Sequence, residues 1–406
     1  MAPALCLSQD GHVRRFSIIS LVFLVICLLF LRPGQPVRSG PIVHQVSENS
    51  AVILVHGEAS GRRELSVEVA DATGPVGKRL LPSGSPERST FRLTGLEAGT
   101  QYRYQLYDNG KIVGKGGFRT APPAGTGSLR FVAFGDTGDL PWWGFMLDGP
   151  IRLSSLGKGL VGHHPAQWAV GRDAAALAPE VFLHLGDVVY PRGEWRHYEV
   201  TTFAPFAELF ANCDVHVTIG NHDAMTENGA PMFRAFELPI RKGGKDSFYY
   251  EFVHGPVHFF NVASYGVSFA KGSEQRRWFE EHLRASKSPW KVVFTHRPLW
   301  SASRSRKART SVQWRKDLHP FLAEQGVRLF LSGHDHTYQR YKERDGVNYV
   351  IAGGGGKSLY DMVEDENLAK KAKRFSYVIV DATPERLLLQ ARDLHGVIFD
   401  TCELRR

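Results

Sequence analysis

The chain has 406 residues, of which 43 % are hydrophobic and 22 % charged, so it is long and apolar enough to bury a sizeable core and is not compositionally disordered. Its formal net charge of +9, from 50 Lys and Arg against 41 Asp and Glu, favours anionic partners such as phosphate esters, anionic lipid or nucleic acid. The positive charge is spread along the sequence without an arginine-rich arm or a DNA-binding motif, so nucleic acid is not expected as a partner.

At the amino terminus Arg14 and Arg15 precede an uncharged apolar run from Phe16 to Leu31, which ends at Arg32-Pro33-Gly34. The run is slightly long for the apolar region of a signal peptide and slightly short for a spanning helix of about 20 residues. Val37-Arg38-Ser39 is a poor cleavage site. Residues 1–40 therefore read as a signal peptide or a membrane anchor through residues 16–31. Either one places the rest of the chain outside the cytoplasm: secreted, periplasmic or anchored.

Residues 41–121 predict a small all-β sandwich. Val52 to Val55, Leu65 to Val69, Phe91 to Leu93 and Tyr102 to Leu106 are short β-rich runs separated by Gly, Pro, Ser and Asn clusters. The stretch from Leu93 to Tyr102 resembles the turn before a late strand of a fibronectin type III domain. Tyr102 would then be its tyrosine corner, with the hydroxyl bonded back to the loop. Residues 122–128, rich in Pro and Gly, read as a linker.

From residue 129 to 406 strands alternate with helices, which predicts an α/β domain: two mixed sheets in a layered sandwich flanked by helices. The strands are Leu129 to Phe134, Val181 to Leu185, Val215 to Ile219, Lys291 to Thr295 and Val327 to Leu331. Glu194 to Ala211, Ser273 to Ser286 and Thr310 to Gln325 read as helices. Phe248 to Val253 and Val257 to Val262 read as a hairpin. Strands near Tyr377 to Val380, Leu387 to Gln390 and Val397 to Phe399 are expected to complete the second sheet. Outside the leader, Cys213 and Cys402 either form one disulfide or stay as two buried thiols.

Five strand ends each deliver metal-binding side chains just past the carboxyl edge, where open α/β sheets place their sites. They are Gly135-Asp136-Thr137-Gly138, Gly186-Asp187-Val188-Val189-Tyr190, Gly220-Asn221-His222-Asp223, Thr295-His296 and Gly333-His334-Asp335-His336. A glycine precedes the ligand in four of the five, which is expected to let the backbone turn sharply off the strand. Each motif alone is weak: Gly-Asp after a strand is a common turn. Together they are hard to explain as accident.

This set resembles the calcineurin-like metallophosphoesterases and, within them, the purple acid phosphatases, over about residues 129–402. Two features discriminate. Most of that superfamily has a histidine ligand where Gly138 stands, whereas purple acid phosphatases lack it and supply a tyrosine three residues after the second aspartate, as Tyr190 does. The resemblance implies Fe(III) at Asp136, Asp187, Tyr190 and His336. It implies a second divalent metal (Fe, Zn or Mn) at Asp187, Asn221, His296 and His334, with Asp187 bridging. The donor chemistry agrees: phenolate and carboxylates suit a trivalent cation, imidazole and amide oxygen a softer divalent one.

The implied function is hydrolysis of phosphate monoesters by a metal-held hydroxide, of acid phosphatase type. His222 would face the substrate, Asp223 would orient it, and Asn221 and His222 would contact the phosphate. Where several family members carry a second substrate-facing histidine, this chain has Ser303-Arg304-Ser305-Arg306, so Arg304 or Arg306 is the candidate replacement. His163, His164, Trp142 and Trp143 lie in an insertion that either lines a substrate rim or forms a surface loop. His216 and His258 lie inside strands. Lys370, Lys371, Lys373 and Arg374 read as a solvated face. Two alternatives stand beside the leading function: a phosphodiesterase or nucleotide pyrophosphatase on the same site, and a non-enzymatic surface binding protein whose site is vestigial.

Overall fold

The computed structural model of the chain describes residues 39–57, 64–77, 79–85, 87–139, 164–239, 248–304 and 312–406. The leader, Trp142, Trp143, His163 and Arg306 lie outside the described residues. Among the described residues no helix is long and apolar enough to cross a membrane.

Two small sheets form the amino-terminal part. Its strands are β1 (Ser39–His44), β2 (Ser50–His56), β3 (Leu65–Ala70), β4 (Ser83–Ser85), β5 (Arg88–Thr94), β6 (Gln101–Asp108) and β7 (Lys111–Arg119). One sheet runs β1-β2-β5-β4 and the other β3-β6-β7, all antiparallel. Alternation drives the packing. In β6 the odd-numbered Arg103 and Gln105 face solvent while Tyr102, Tyr104 and Leu106 are buried with Phe91, Phe118 and Val67 between the sheets. The hydroxyl of Tyr102 accepts the Glu97 N–H at 2.9 Å, so the expected tyrosine corner is present.

The larger part holds two mixed sheets. β8 (Leu129–Phe134), β9 (Val181–His184), β10 (Asp214–Val217), β18 (Ser376–Ala382), β19 (Arg386–Asp393) and β20 (Ile398–Arg405) form one, in the order β10-β9-β8-β18-β19-β20. The other runs β11-β12-β13-β14-β16-β15-β17, from β11 (Tyr250–His254), β12 (Val257–Asn261), β13 (Trp290–Thr295), β14 (Val327–Ser332), β15 (Tyr338–Tyr341), β16 (Asn348–Ala352) and β17 (Leu368–Ala372). The main core lies between these sheets, where Phe131 meets Phe259 edge to face at 5.1 Å. Helices α1 (His164–Ala176), α2 (Ala207–Asn212), α3 (Ala230–Ala235), α4 (Glu274–Ala285) and α5 (Val312–Glu324) complete the layers. A second core, with Phe279 and Leu283 of α4 and Leu318 and Leu322 of α5, lies over the seven-stranded sheet. α4 starts where expected, because the Ser273 side chain caps the Arg276 N–H.

Two expectations are corrected, and the alternative left open for the cysteines is decided. The predicted helix over 194–211 is broken into a short 3₁₀ turn, a π turn over Glu199–Phe203 and α2, with Pro205 between the last two, where it lacks the N–H a continuous helix needs. The final strands join the first sheet: β18 runs antiparallel to β8, Val380 opposite Phe131. Cys213 and Cys402 are both free thiols, and Cys213 is buried with its S–H donating to Leu209 O.

Candidate metal centre

The parallel strands β8, β9 and β10 of one sheet and β13 and β14 of the other aim their carboxyl ends at one place. Asp136 follows β8, Asp187 follows β9, Asn221 follows β10, His296 follows β13, and His334 and His336 follow β14. Asp136, Asp187 and His334 adopt positive φ, at 58°, 51° and 69°. For non-glycine residues this costs on the order of 1–3 kcal/mol each, and such strain concentrates at functional sites.

The glycines before the ligands correct one expectation. Gly186 does turn through positive φ, at 85°. Gly135, Gly220 and Gly333 do not; they are required because nothing larger fits. A Cβ at Gly220 would lie 2.9 Å from Asp187 Cα, and one at Gly333 would lie 2.6 Å from Leu185 O. The same holds at Gly138, where a Cβ would run into Val188 O and lie 2.6 Å from Val189 Cα. No histidine could occupy that position in this backbone.

The seven expected ligands fall into two adjoining groups. In the first, the Tyr190 hydroxyl lies 3.2 Å from Asp136 Oδ1, 2.9 Å from Asp187 Oδ2 and 3.1 Å from His336 Nε2. His336 Nε2 is also 3.3 Å from Asp136 Oδ1. In the second, His296 Nε2 is 3.4 Å from Asp187 Oδ2, 3.3 Å from Asn221 Oδ1 and 3.1 Å from His334 Nδ1. Asp187, His296 and His334 each offer an atom within 4.8 Å of the others. Asp187 belongs to both groups, as a bridging carboxylate would.

Surrounding bonds fix which ring nitrogens face inwards. His296 Nδ1 lies 2.7 Å from Leu185 O and His336 Nδ1 2.8 Å from Ser358 O, so both donate there and leave Nε2 as a lone pair. These lone pairs converge on carboxylate, amide and phenol oxygens in a buried pocket. Such a set of acceptors is mutually repulsive unless cations or protons lie among them, so the residues fit two metal ions.

The electrostatics agree. Burial works against charge on His296, yet the Asp187 carboxylate beside it lifts its pKa to about 9. Burial would raise Asp187, but His296 and His222 hold it far below the carboxylate range. Burial, followed by the Asp187 and Asp136 charges, pushes Tyr190 well above the ordinary phenol value. The phenolate therefore forms only where a cation takes the place of its proton.

The pairing of His222 with Asp223 differs from expectation. The His222 ring lies 4.4 Å from the Tyr190 ring with Nε2 4.0 Å from Asp187 Oδ2, so it does border the centre. Its Nδ1, however, donates to Pro191 O at 2.6 Å and does not meet Asp223. Asp223 is buried behind the ligands. It accepts the Val188 and Val189 N–H groups at 2.9 and 3.3 Å and the Gly220 N–H at 2.9 Å. It ties the Asp187 loop to the Asn221 loop rather than orienting His222. Burial and the Asp187 charge raise its pKa to about 7.

Arg304 is exposed, and its N–H donates to Asp361 O at 2.8 Å, next to Tyr360. His164 opens α1. His216 is buried in a pair with Asp214 at 2.8 Å, and His258 bonds Ser286 at 2.8 Å. Both are structural. Lys371, Lys373 and Arg374 pair with Glu364, Asp361 and Asp393 at the surface, as a solvated face. Three neighbours of the centre were not singled out from sequence. Tyr265 packs 5.8 Å from His296 and 6.1 Å from His334, Tyr360 stacks on His336 at 4.0 Å, and Lys357 lies 4.8 Å over the Tyr190 ring. For Lys357 and Tyr360 the sequence carried one signal: the stretch Gly353 to Tyr360 after the Gly-His motif is a further, softer point of resemblance to the same family.

A two-sheet sandwich with carboxylates, histidines and a tyrosine at its strand ends defines a metallophosphoesterase. Residues 129–338 match the calcineurin-like phosphoesterase family, and the chain belongs to it. Its relatives within that family are purple acid phosphatases. It is 27% identical over 376 residues to "Probable inactive purple acid phosphatase 9" of Arabidopsis thaliana, covering 77% of this chain and 55% of that protein. It is 27% identical over 263 residues to "Tartrate-resistant acid phosphatase type 5" of Mus musculus, covering 58% of this chain and 74% of that protein. The chain thus spans little more than half the length of the plant relative. Purple acid phosphatase PPD1 from yellow lupin (Lupinus luteus) seeds shares the fold with a TM-score of 0.74 at 20% identity, covering 90% of this chain and 74% of that one.

Proposed function

We propose that the chain hydrolyses phosphate monoesters at a dinuclear centre. Fe(III) is held by Asp136, Asp187, Tyr190 and His336, and a divalent ion by Asp187, Asn221, His296 and His334. One observation carries the assignment: the Tyr190 hydroxyl meets Asp136, Asp187 and His336 together, all within 3.2 Å. A phenol with two carboxylates is a hard anionic donor set that suits a trivalent ion. The name of the plant relative shows that this fold also occurs in proteins regarded as inactive; what supports activity here is that the seven candidate ligand side chains are all present and lie together.

Bound metal ions supply activated water and neutralise phosphate charge. The chain's own side chains do the rest. His222, about a quarter exposed, presents Nε2 beside the centre while Pro191 O holds the other nitrogen. In its protonated form it donates from Nε2 to the ester oxygen as the P–O bond breaks and water adds to phosphorus, giving alcohol and phosphate. Asp223 fixes the spacing of the Asp187 and Asn221 loops. Arg304, with Arg306 two residues on in sequence, supplies positive charge that attracts the phosphate group.

The test is metal analysis with an absorption spectrum of the purified chain. A ferric phenolate absorbs visible light, so the protein should be pink to purple, and Tyr190→Phe should bleach it. A colourless, active protein containing only zinc or manganese would overturn the iron assignment. Paired assays on p-nitrophenyl phosphate and bis(p-nitrophenyl) phosphate check the monoester preference. For the two arginines, Arg304→Ala with Arg306→Ala should raise KM; unchanged KM and kcat would remove those residues from the site.

A further inference from the structure

The loop after β16 reads Gly353-Gly354-Gly355-Gly356-Lys357-Ser358-Leu359-Tyr360 and is pressed against the centre from outside. A Cβ at Gly353 would lie 2.8 Å from Asp136 Oδ2, one at Gly355 would lie 2.6 Å from Thr137 Cγ2, and one at Gly356 would lie 2.8 Å from Thr137 O. These three glycines let the backbone approach that closely, while Gly354 packs the other way against Arg374 and Ser376. Beyond the glycines the loop becomes polar. The Lys357 N–H donates to Asp136 O at 2.9 Å, and Ser358 O receives the His336 Nδ1–H. Tyr360 stacks on His336 with its hydroxyl 3.2 Å from Nε2. The Lys357 ammonium lies 4.8 Å from the centroid of the Tyr190 ring and is paired with Asp139 Oδ1 at 2.5 Å. One short loop therefore touches Asp136, Tyr190 and His336, three of the four residues of the first metal group, and sets a cation over the ring of its phenol.

We infer that Lys357 is a positioning and tuning residue for the first metal, acting through Tyr190, and that Asp139 moderates it. The inference rests on the iron assignment above. The phenol oxygen points at Asp136, Asp187 and His336, while the ammonium lies over the ring. The cation consequently stabilises electron density on the phenolate more than it affects the ion beyond it. That widens the energy gap for charge transfer from phenolate to metal. It also makes the phenolate a weaker donor, which favours the reduced ion. Asp139 offsets part of that field, so removing its charge acts in the opposite sense. Only about a quarter of the Lys357 side chain is exposed, so water screens the effect incompletely.

The experiment reads the visible absorption maximum and the reduction potential of the iron-loaded full chain, with metal content measured alongside. Lys357→Met should move the band to longer wavelength and lower the potential, and Lys357→Gln should do the same. Lys357→Arg, which keeps the charge, should stay with the wild type. Asp139→Asn should move both readouts the other way. Band position is read per bound iron, so partial metal loss does not obscure it. If Lys357→Met and Lys357→Gln leave the band where the wild type has it, or if Asp139→Asn shifts it in the same direction as they do, the loop is only a wall and the inference fails. A wild-type protein that binds iron without a visible band sinks the Tyr190 assignment, and this inference with it; a wild-type band that the variants do not move sinks this inference alone.

Discussion

Gly138 shows how one missing side chain bears on the proposed metal chemistry. With Val188 O and Val189 Cα where its Cβ would go, the first strand end offers one candidate ligand, Asp136, and in the proposed centre Tyr190, 3.2 Å from Asp136 Oδ1, takes the place of a second. Gly138→His should therefore fail to add a ligand. The overpacking should lower stability by about 2 kcal/mol or more and reduce bound iron. A folded G138H protein with full metal content and an unchanged melting temperature would contradict the steric account. Residue types and spacing pointed in the sequence to the seven side chains that the fold brings together, because each follows a strand whose carboxyl end faces the same place. The partner of each donor was not legible. Asp223 beside His222 suggested an orienting pair, but neighbours in sequence at a turn point different ways, and its carboxylate serves three backbone N–H groups. Asp223→Asn keeps one acceptor oxygen and should weaken metal retention while leaving KM for p-nitrophenyl phosphate little changed; a rise in KM alone would restore it to the substrate side.

Elements were read well where periodicity was strong and poorly where packing overrode it. β8 begins and ends where its apolar run does, and α4 starts at its serine cap. The stretch 194–211 has helical composition, but Thr201, Thr202 and Phe203 are buried and Pro205 interrupts it, so it winds as separate turns. The placement of β18 against β8 could not be read, since strand order is set by contacts some 250 residues apart in sequence. Gln275, in the first turn of α4, carries an element-scale consequence. It is fully buried and closes the loop bearing Tyr265, accepting the Ala263 N–H at 2.7 Å and donating to Ala263 O at 3.1 Å. Gln275→Ala would leave that peptide group buried and unpaired, at a cost of about 2 kcal/mol or more. Urea unfolding at neutral pH measures it, and a change within error would show that water replaces the side chain.

At the scale of the whole molecule, the β-sandwich is welded to the catalytic part by buried histidines. Ile42 and Leu54 join the main core, Tyr104 donates to Ala211 O at 2.8 Å, and Glu237 receives Arg88 and Arg92. His44 donates from Nδ1 to Val215 O at 2.9 Å and His56 from Nε2 to Ala235 O at 3.0 Å. Among the described residues the buried Nε2 of His44 meets no hydrogen-bond partner, and the Nδ1 of His56 makes no well-formed bond although the Glu87 backbone lies near enough to oppose the shift slightly, so a second proton would be a poorly compensated buried charge. Burial accordingly lowers both pKa values from 6.5 to about 4. Around His44, Asp214 and Glu237 oppose the shift and His216 adds to it; around His56, Arg88 and Arg234 add to it. As pH falls below 6.5 the unfolded chain takes up protons that the folded chain refuses until about 4. Stability is then lost across that window, by about 2–3 kcal/mol per histidine near its lower end. An enzyme proposed to work in acid thus carries an interface that weakens in acid. His44→Asn and His56→Gln keep the donating N–H in a comparable place and remove the titration. The double variant should lose less stability than the wild type between pH 7 and pH 4.5 in matched urea unfolding. Parallel curves for the two proteins would mean that these histidines take up protons as readily in the fold as in the unfolded chain, and that other groups set its acid limit.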